Sequence, residues 1–355
     1  MPSGLLRRVA MVAAGAVILV GAAACGGSTA APAAAAAPAA AAKGQLVIYA
    51  AEGYDQAMAD AFQKQTGIQV KLSDMSTGPL VAKVQAEGSN PQWDVAWFDG
   101  DGTMATLDAQ GLLLKGWEPA NAANYSSLGK QLVPQDQSYA PTGITAAAAI
   151  AYNAKLVPAD QAPQTWTDLL KPEFKDAVGM NNPAISGPTF PVVAGFLYGM
   201  GMTQGEGFFT QLKANGLKIF ATNKPTLAAL SNGSIKVAFV QDSAEIDAIK
   251  SGSPLKIVYP SDGVTMLPSA IGISAHAPDL AAAKQFLDFA LSDAGQKIML
   301  SSGGGDSHFE PIINGQSPNA DSQRPGVKWN MVPASWQAQH YDEIQSWFKA
   351  NIVGG

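Results

Sequence analysis

Only one cysteine, Cys25, occurs in 355 residues. No internal disulfide can form, and no thiolate cluster can hold a metal. Arginine is nearly as scarce. After Arg7 and Arg8 there is only Arg324, so guanidinium clamps cannot dominate a ligand site. The three histidines, His276, His308 and His340, all fall late in the chain. Charged residues make up 14 % of it, a low share that suits a large core built with many small residues. The balance is acidic, with 22 basic against 28 acidic residues, which argues against nucleic acid or an anionic surface as a partner.

One apolar run is present, and it is short. Val9 to Ala24 follows Arg7-Arg8 and carries no charge. At sixteen residues it falls below the roughly twenty that span a bilayer. A basic start, an apolar middle and small residues before a processing point describe a secretory leader over 1–24. Ala22-Ala23-Ala24-Cys25-Gly26 resembles a bacterial lipobox, in which the cysteine is lipidated and becomes the new N-terminus. Cys25 would then anchor the chain, and 25–43, nearly all Ala, Pro, Gly, Ser and Thr, would act as a flexible tether. The alternative is a plain leader cut at an Ala-x-Ala site. Without both leader arginines the charge is 20 basic against 28 acidic residues, or −8.

From Leu46 the pattern changes. Leu46-Val47-Ile48-Tyr49 reads as a strand buried on both faces. Ala57, Met58, Ala61 and Phe62 then fall at helical spacing, Gly67 offers a left-handed cap, and Ile68 to Leu72 starts a second, parallel strand. Thr77 as N-cap with Pro79 after it would begin the next helix. Asp94 to Phe98 is a third strand, with a helix over Thr103 to Gln110. Asp99-Gly100-Asp101 lacks the further ligands of a calcium loop, so these acids cap the helix or face a cleft. Tyr139 to Ile144 reads as a turn leading into a long small-residue strand, Ala147 to Asn153. Gln164 to Leu170 reads as a capped helix. Strands near Val178, Lys218 and Val237 each end in a polar loop that opens a helix. Lys256 to Pro260 begins a return, Ala270 to Ser274 is a strand, and Asp279 to Leu291 is a helix followed by another to Leu300. Trp336 to Ile352 reads as one closing amphipathic helix. Strand, polar loop and helix recur in both halves, which calls for two parallel α/β sheets facing each other across a cleft.

Several stretches together resemble one family. They are Leu46 to Tyr49, Phe62 to Val70, Asn90 to Trp97, Tyr152-Asn153, Trp166 to Leu170, Asn182 to Thr189, Val258 to Pro260 and Phe286 to Gln296. The family is the extracellular solute-binding proteins of ATP-driven importers, in the branch with ferric-ion, thiamine, phosphosugar and 2-aminoethylphosphonate binders. The resemblance runs from Gln45 onward. It implies a two-lobe α/β fold of the type II periplasmic-binding-protein kind, with 44–141 plus 263–310 as one lobe and 142–262 plus 311–355 as the other. It also implies a monomeric receptor that is not an enzyme and needs no cofactor. Such a receptor closes on a small ligand and delivers it to an ABC permease, here from the outer face of the cell membrane through lipid on Cys25.

In open α/β sheets ligands sit beyond the carboxyl ends of strands. Candidate ligand-binding residues are therefore Tyr49, Glu52, Ser76, Thr77, Asp99, Asn182, Ser186, Thr189, Asn223, Lys224, Asp242 and Tyr259. Hydroxyls and amides at helix starts, with Lys224, suit a phosphonate or phosphate ester; acids such as Asp242 suit an ammonium end. Each could equally serve as an ordinary helix cap. Ferric-ion relatives typically use adjacent tyrosines, and no two tyrosines here are adjacent. A ferric-ion receptor of the same fold is the alternative. An alternative of another class, a secreted hydrolase, is disfavoured. There is no Gly-x-Ser-x-Gly elbow, and Ser274 and Ser307 lie beside His276 and His308 without triad context.

Overall fold

The computed structural model describes residues 44–354. The leader, Cys25 and the tether expected over 25–43 lie outside them.

Strand β1 (Gln45–Ala50) runs into α1 (Asp55–Thr66), whose Met58, Ala59 and Phe62 face the core. Gly67 ends the helix at φ 76° and donates its N–H to Gln63 O at 2.9 Å, the left-handed stop that lacks a steric penalty only in glycine. Strand β2 (Gln69–Asp74) lies parallel to β1. Helix α2 (Thr77–Glu87) is preceded by Ser76, so Thr77 is its first residue rather than its cap. Strand β3 (Val95–Asp99) takes the other side of β1 and leads into α3 (Asp101–Ala109). After α4 (Ser127–Leu132), capped by the Ser126 hydroxyl, the expected turn at 139–144 is instead a strand, β4 (Ala140–Ala146). Pro141 suggested a turn, but β4 pairs only with a later strand, and a ladder edge tolerates a missing N–H.

Strand β5 (Ala149–Asn153) opens the second half. The capped helix expected at 164–170 is a single 3₁₀ turn, with Thr165 and Asp168 forming a reciprocal capping box. Then follow β6 (Val178–Asn181), α5 (Thr189–Met200), α6 (Met202–Ala214), β7 (Lys218–Phe220), α7 (Asn223–Ser231), β8 (Val237–Val240), α8 (Asp242–Lys250) and β9 (Leu255–Val258). Strand β10 (Val264–Ile273), α9 (Leu280–Ala290) and α10 (Asp293–Ser301) return to the first half, and β11 (Trp329–Asn330) joins β10. The closing helix is two, α11 (Ala334–Gln339) and α12 (Tyr341–Phe348), separated at His340.

Two sheets result. The first has the order β11-β10-β3-β1-β2, with β4 on β10; the second has the order β7-β6-β8-β5-β9. Both are mixed, not parallel as expected: β10 is antiparallel to β3 and β4, and β5 to β8 and β9. The reason lies in the crossings. The chain passes between sheets through extended segments, β4 to β5 and β9 to β10, with no crossover helix to restore the direction. Each sheet has its own aromatic centre. Phe62 meets Phe286 edge-on at 5.2 Å in the first, and Trp166 meets Phe196 at 5.2 Å in the second. Such pairs contribute about 0.5–1.5 kcal/mol beyond area burial.

Candidate functional site

A cavity of about 580 Å³ lies where the two sheets present their strand ends to each other. Ala51, Glu52 and Gly53 follow β1; Met75, Ser76 and Thr77 follow β2; Asp99 ends β3. From the other side come Ser186 to Pro188 after β6, Thr222 to Lys224 after β7, and Gln241 after β8. Six carboxyl ends of strands thus meet at one space, the position the α/β rule assigns to ligands.

The walls differ in charge. The first lobe contributes Glu52, Asp55, Asp74 and Asp99, with Asp306 joined to it by a 2.7 Å bond from Gly53 N–H. The second contributes the Ser186 and Thr222 hydroxyls, the amides of Asn223 and Gln241, and Lys224, the single basic residue of the lining. Burial pushes Glu52 well above the usual carboxyl range, and the charges of Asp99 and Asp306 add to it. Asp99 rises likewise, from burial and then from Asp306. Asp55 rises to about 7, chiefly by burial and then by the charge of Asp74. Asp55 starts α1, where the helix dipole favours a carboxylate; burial outweighs it.

Three buried polar atoms on these lining residues have no partner among the described residues: Glu52 Oε1, Asp55 Oδ2 and Thr77 Oγ1. A buried polar group without a partner costs about 1–3 kcal/mol, so unpartnered atoms lining a cavity mark where a ligand can repay the loss. A chain of polar contacts holds the second wall in place. The Asn181 carboxamide lies 3.1 Å from Ser186 Oγ, 2.6 Å from Asn223 Oδ1 and 2.5 Å from Thr226 Oγ1. Asn223 Nδ2 donates to Gln241 Oε1 at 3.2 Å, and Gln241 Nε2 reaches Asp99 Oδ1 at 3.4 Å.

Seven of the twelve residues singled out in the sequence line this cavity: Glu52, Ser76, Thr77, Asp99, Ser186, Asn223 and Lys224. Five do not. The Tyr49 hydroxyl donates to Glu87 Oε1 at 2.9 Å and also meets Lys83, on the side of the sheet covered by α2. Asn182 accepts from Ala184 N–H at 3.0 Å as a local turn. Thr189 is buried as the first residue of α5. Asp242 is fully buried against Arg324, and Tyr259 donates its hydroxyl to Asp242 at 2.9 Å. Sequence reasoning passed over Asp55, Asp74, Gln241 and Asp306. Asp74 and Gln241 stand directly at strand ends, a signal that was legible. Asp306 follows three glycines in a loop, and nothing local ties that loop to Gly53.

Comparison with known proteins points the same way. The profile of the family described as bacterial extracellular solute-binding protein matches residues 57–324. A Salmonella paratyphi A protein, provisionally named a 2-aminoethylphosphonate-binding periplasmic protein, is 22 % identical over 324 residues, 88 % of this chain and 91 % of its own. The major ferric iron-binding protein of Neisseria meningitidis is 25 % identical over 252 residues, covering 69 % and 74 %. The fold is similar to that of the periplasmic binding protein AfuA from Actinobacillus pleuropneumoniae, solved with fructose-6-phosphate. There the TM-score is 0.79 at 20 % identity, over 88 % of this chain and all of that one.

Proposed function

The chain belongs to the bacterial extracellular solute-binding proteins, receptors of the ABC import type, and within that family we propose that it captures a small zwitterion carrying an ammonium and an anionic end. The observation that carries this reading is the opposition of charge across the cavity: five carboxyl residues on one side, Lys224 and the start of α7 on the other. The ammonium end meets Glu52, Asp99 and Asp306. The anionic end meets Lys224, the Ser186 hydroxyl and the first-turn amides of α7, where the helix dipole adds about 0.3–1 kcal/mol. A bare polyanion fits poorly, because Lys224 is the single basic residue in the lining. The relatives and structural neighbours are binding proteins, and the chain is a receptor with no catalytic role.

Lys224 in the lining favours this reading over a ferric-ion receptor, and the Tyr49 and Tyr259 hydroxyls are bonded to Glu87 and Asp242, outside the cavity. Closure of the lobes on the ligand is the signal a permease would read, since a ligand shifts the equilibrium by its extra contacts in the closed form.

Calorimetry on the chain from residue 26 onward tests the reading with four probes: 2-aminoethylphosphonate, 1,4-diaminobutane, inorganic phosphate and ferric citrate. The zwitterion should bind in the micromolar range or tighter, and phosphate and ferric citrate should give no heat. Lys224→Met should weaken the zwitterion about tenfold while leaving any diamine binding unchanged. Tight ferric binding with silence from the organic probes would reverse the order.

A further inference from the structure

Beside the cavity the lobes touch directly, and a glycine stands on each side of the contact. Gly78 donates its backbone N–H to Ile185 O at 3.2 Å. It is the second residue of α2, and a helix supplies no acceptor for its own first-turn N–H groups. Its partner comes from the loop between β6 and α5 in the other lobe. A Cβ at Gly78 would stand 2.1 Å from Ala184 O and 2.8 Å from that carbonyl carbon. A Cβ at Gly187 would stand 2.8 Å from Thr77 Cβ and 3.0 Å from Asp99 Cβ. These are backbone atoms and Cβ atoms, which a rotamer change cannot move aside.

Neither glycine has a positive φ, so a left-handed backbone is not why glycine stands there. The approach of the opposite lobe is. Some glycines with equally near neighbours, such as Gly205 against Leu197 and Gly295 against Phe289, meet atoms of their own lobe, and others that meet a distant segment, such as Gly195 against Thr265 and Gly102 against Gln337, do not line the cavity. Gly187 also stands against Thr77 and Asp99, which line the ligand cavity. The separation at this contact therefore fixes the width of the closed cleft beside it.

We propose that Gly78 and Gly187 form a closure latch, a backbone contact that sets how near the lobes come and so the largest ligand the closed cleft accepts. This rests on the reading of the chain as a receptor that closes. A side chain at either position would wedge the lobes apart at that edge, while leaving the sheets and cores of each lobe unchanged.

The Gly78 amide itself reports the latch. Its only acceptor among the described residues is Ile185 O across the cleft, so its hydrogen exchange follows lobe opening and not unfolding of α2. NMR exchange on the protein saturated with whichever of the four calorimetric probes it binds should show Gly78 N–H protected in the wild type. Gly187→Ala should speed its exchange about tenfold or more, with core amides such as Ile48 and Phe239 unchanged. Gly199→Ala is the control: a Cβ there meets nothing within 4 Å, and the Gly78 rate should not move. If the Gly78 rate is the same in wild type and Gly187→Ala, or already that of a free amide in the wild type, the latch is overturned. Any probe that closes the lobes serves, so an error in the ligand assignment, read separately as the calorimetric order of the four probes, would not disturb the exchange result. A second set of titrations, on Gly78→Ala, should show lost affinity for 2-aminoethylphosphonate if both readings hold.

Discussion

Gln241 Nε2 lies 3.4 Å from Asp99 Oδ1, an amide at the end of β8 in one lobe facing a carboxyl at the end of β3 in the other. The same nitrogen is 3.4 Å from Thr145 Oγ1, and the Gln241 carbonyl oxygen accepts from Asn223. One buried side chain therefore links the wall that carries Lys224 to the wall that carries the acids. Gln241→Leu removes the only side-chain donor to Asp99 among the described residues and leaves that carboxyl buried without it. Loss of stability should be about 1–3 kcal/mol in denaturant unfolding, with weaker ligand binding at the same time. Unchanged values in both measurements would remove Gln241 from the site.

Arg324, the last arginine in the chain, is committed to structure. Its Nη2 donates to Asp242 Oδ1 at 3.0 Å and to His308 O at 2.6 Å, and its Nη1 donates to Ser322 O at 2.8 Å. Asp242 also accepts from Ala146 N–H at 3.0 Å, where the chain crosses between sheets. The pair ties the returning tail to α8. Removing one member leaves a buried, uncompensated charge, which costs about 3–5 kcal/mol. Arg324→Met should reach that range in urea unfolding. Pairing it with Asp242→Asn should lose less than the sum of the two single changes, because the second removes the stranded charge. Simple additivity would mean the two groups do not act as a pair.

The lipobox resemblance at Ala22 to Cys25 implies lipidation of Cys25, a proposal separate from the binding reading. Cys25→Ala should move the protein from the membrane fraction into the medium, read by immunoblot of fractionated cells, with ligand affinity unchanged. Retention in the membrane fraction would leave the anchor unexplained by this residue.

Much of this was open to reading in the sequence, and the failures have common causes. The first βαβ unit from Gln45 to Asp74 is local: period, cap and crossover are set by neighbouring residues. So are the strand ends that placed Glu52, Ser76, Ser186 and Lys224 at the cavity. Tyr49 and Tyr259 were named by residue type, yet the side a strand residue faces is fixed by the sheet it joins. Tyr49 falls on the face of β1 that α2 covers, where Glu87 accepts from its hydroxyl. The mixed sheets escaped for the same reason, since direction is decided by how the chain crosses between lobes. Asp306 was hidden because its partner, Gly53, is more than two hundred residues away in sequence.

The acids of the cavity make stability and binding depend on pH in opposite directions. Asp55 has its pKa raised from the ordinary carboxyl range to about 7, by burial first and by Asp74 second. Asp101, buried outside the cavity at the start of α3, is likewise raised to about 6, mainly by burial. Between the ordinary value and the raised one, the folded protein holds a proton that the unfolded chain has released. The slope of unfolding free energy against pH is then negative, so the ligand-free protein should lose stability as pH rises from about 4 to about 7. A ligand ammonium favours the ionised carboxylates, so its binding should release protons and tighten across the same interval. Thermal unfolding at about pH 5 and about pH 7.5 should show a higher midpoint at the lower pH. Asp55→Asn should raise the midpoint at the higher pH and flatten the difference, because the neutral amide has no proton to lose. Calorimetry of the zwitterion in two buffers of unlike ionisation enthalpy should register proton release that shrinks in Asp55→Asn. A midpoint that climbs toward neutral pH, equally in wild type and Asp55→Asn, would show that these carboxyls are already ionised in the folded protein.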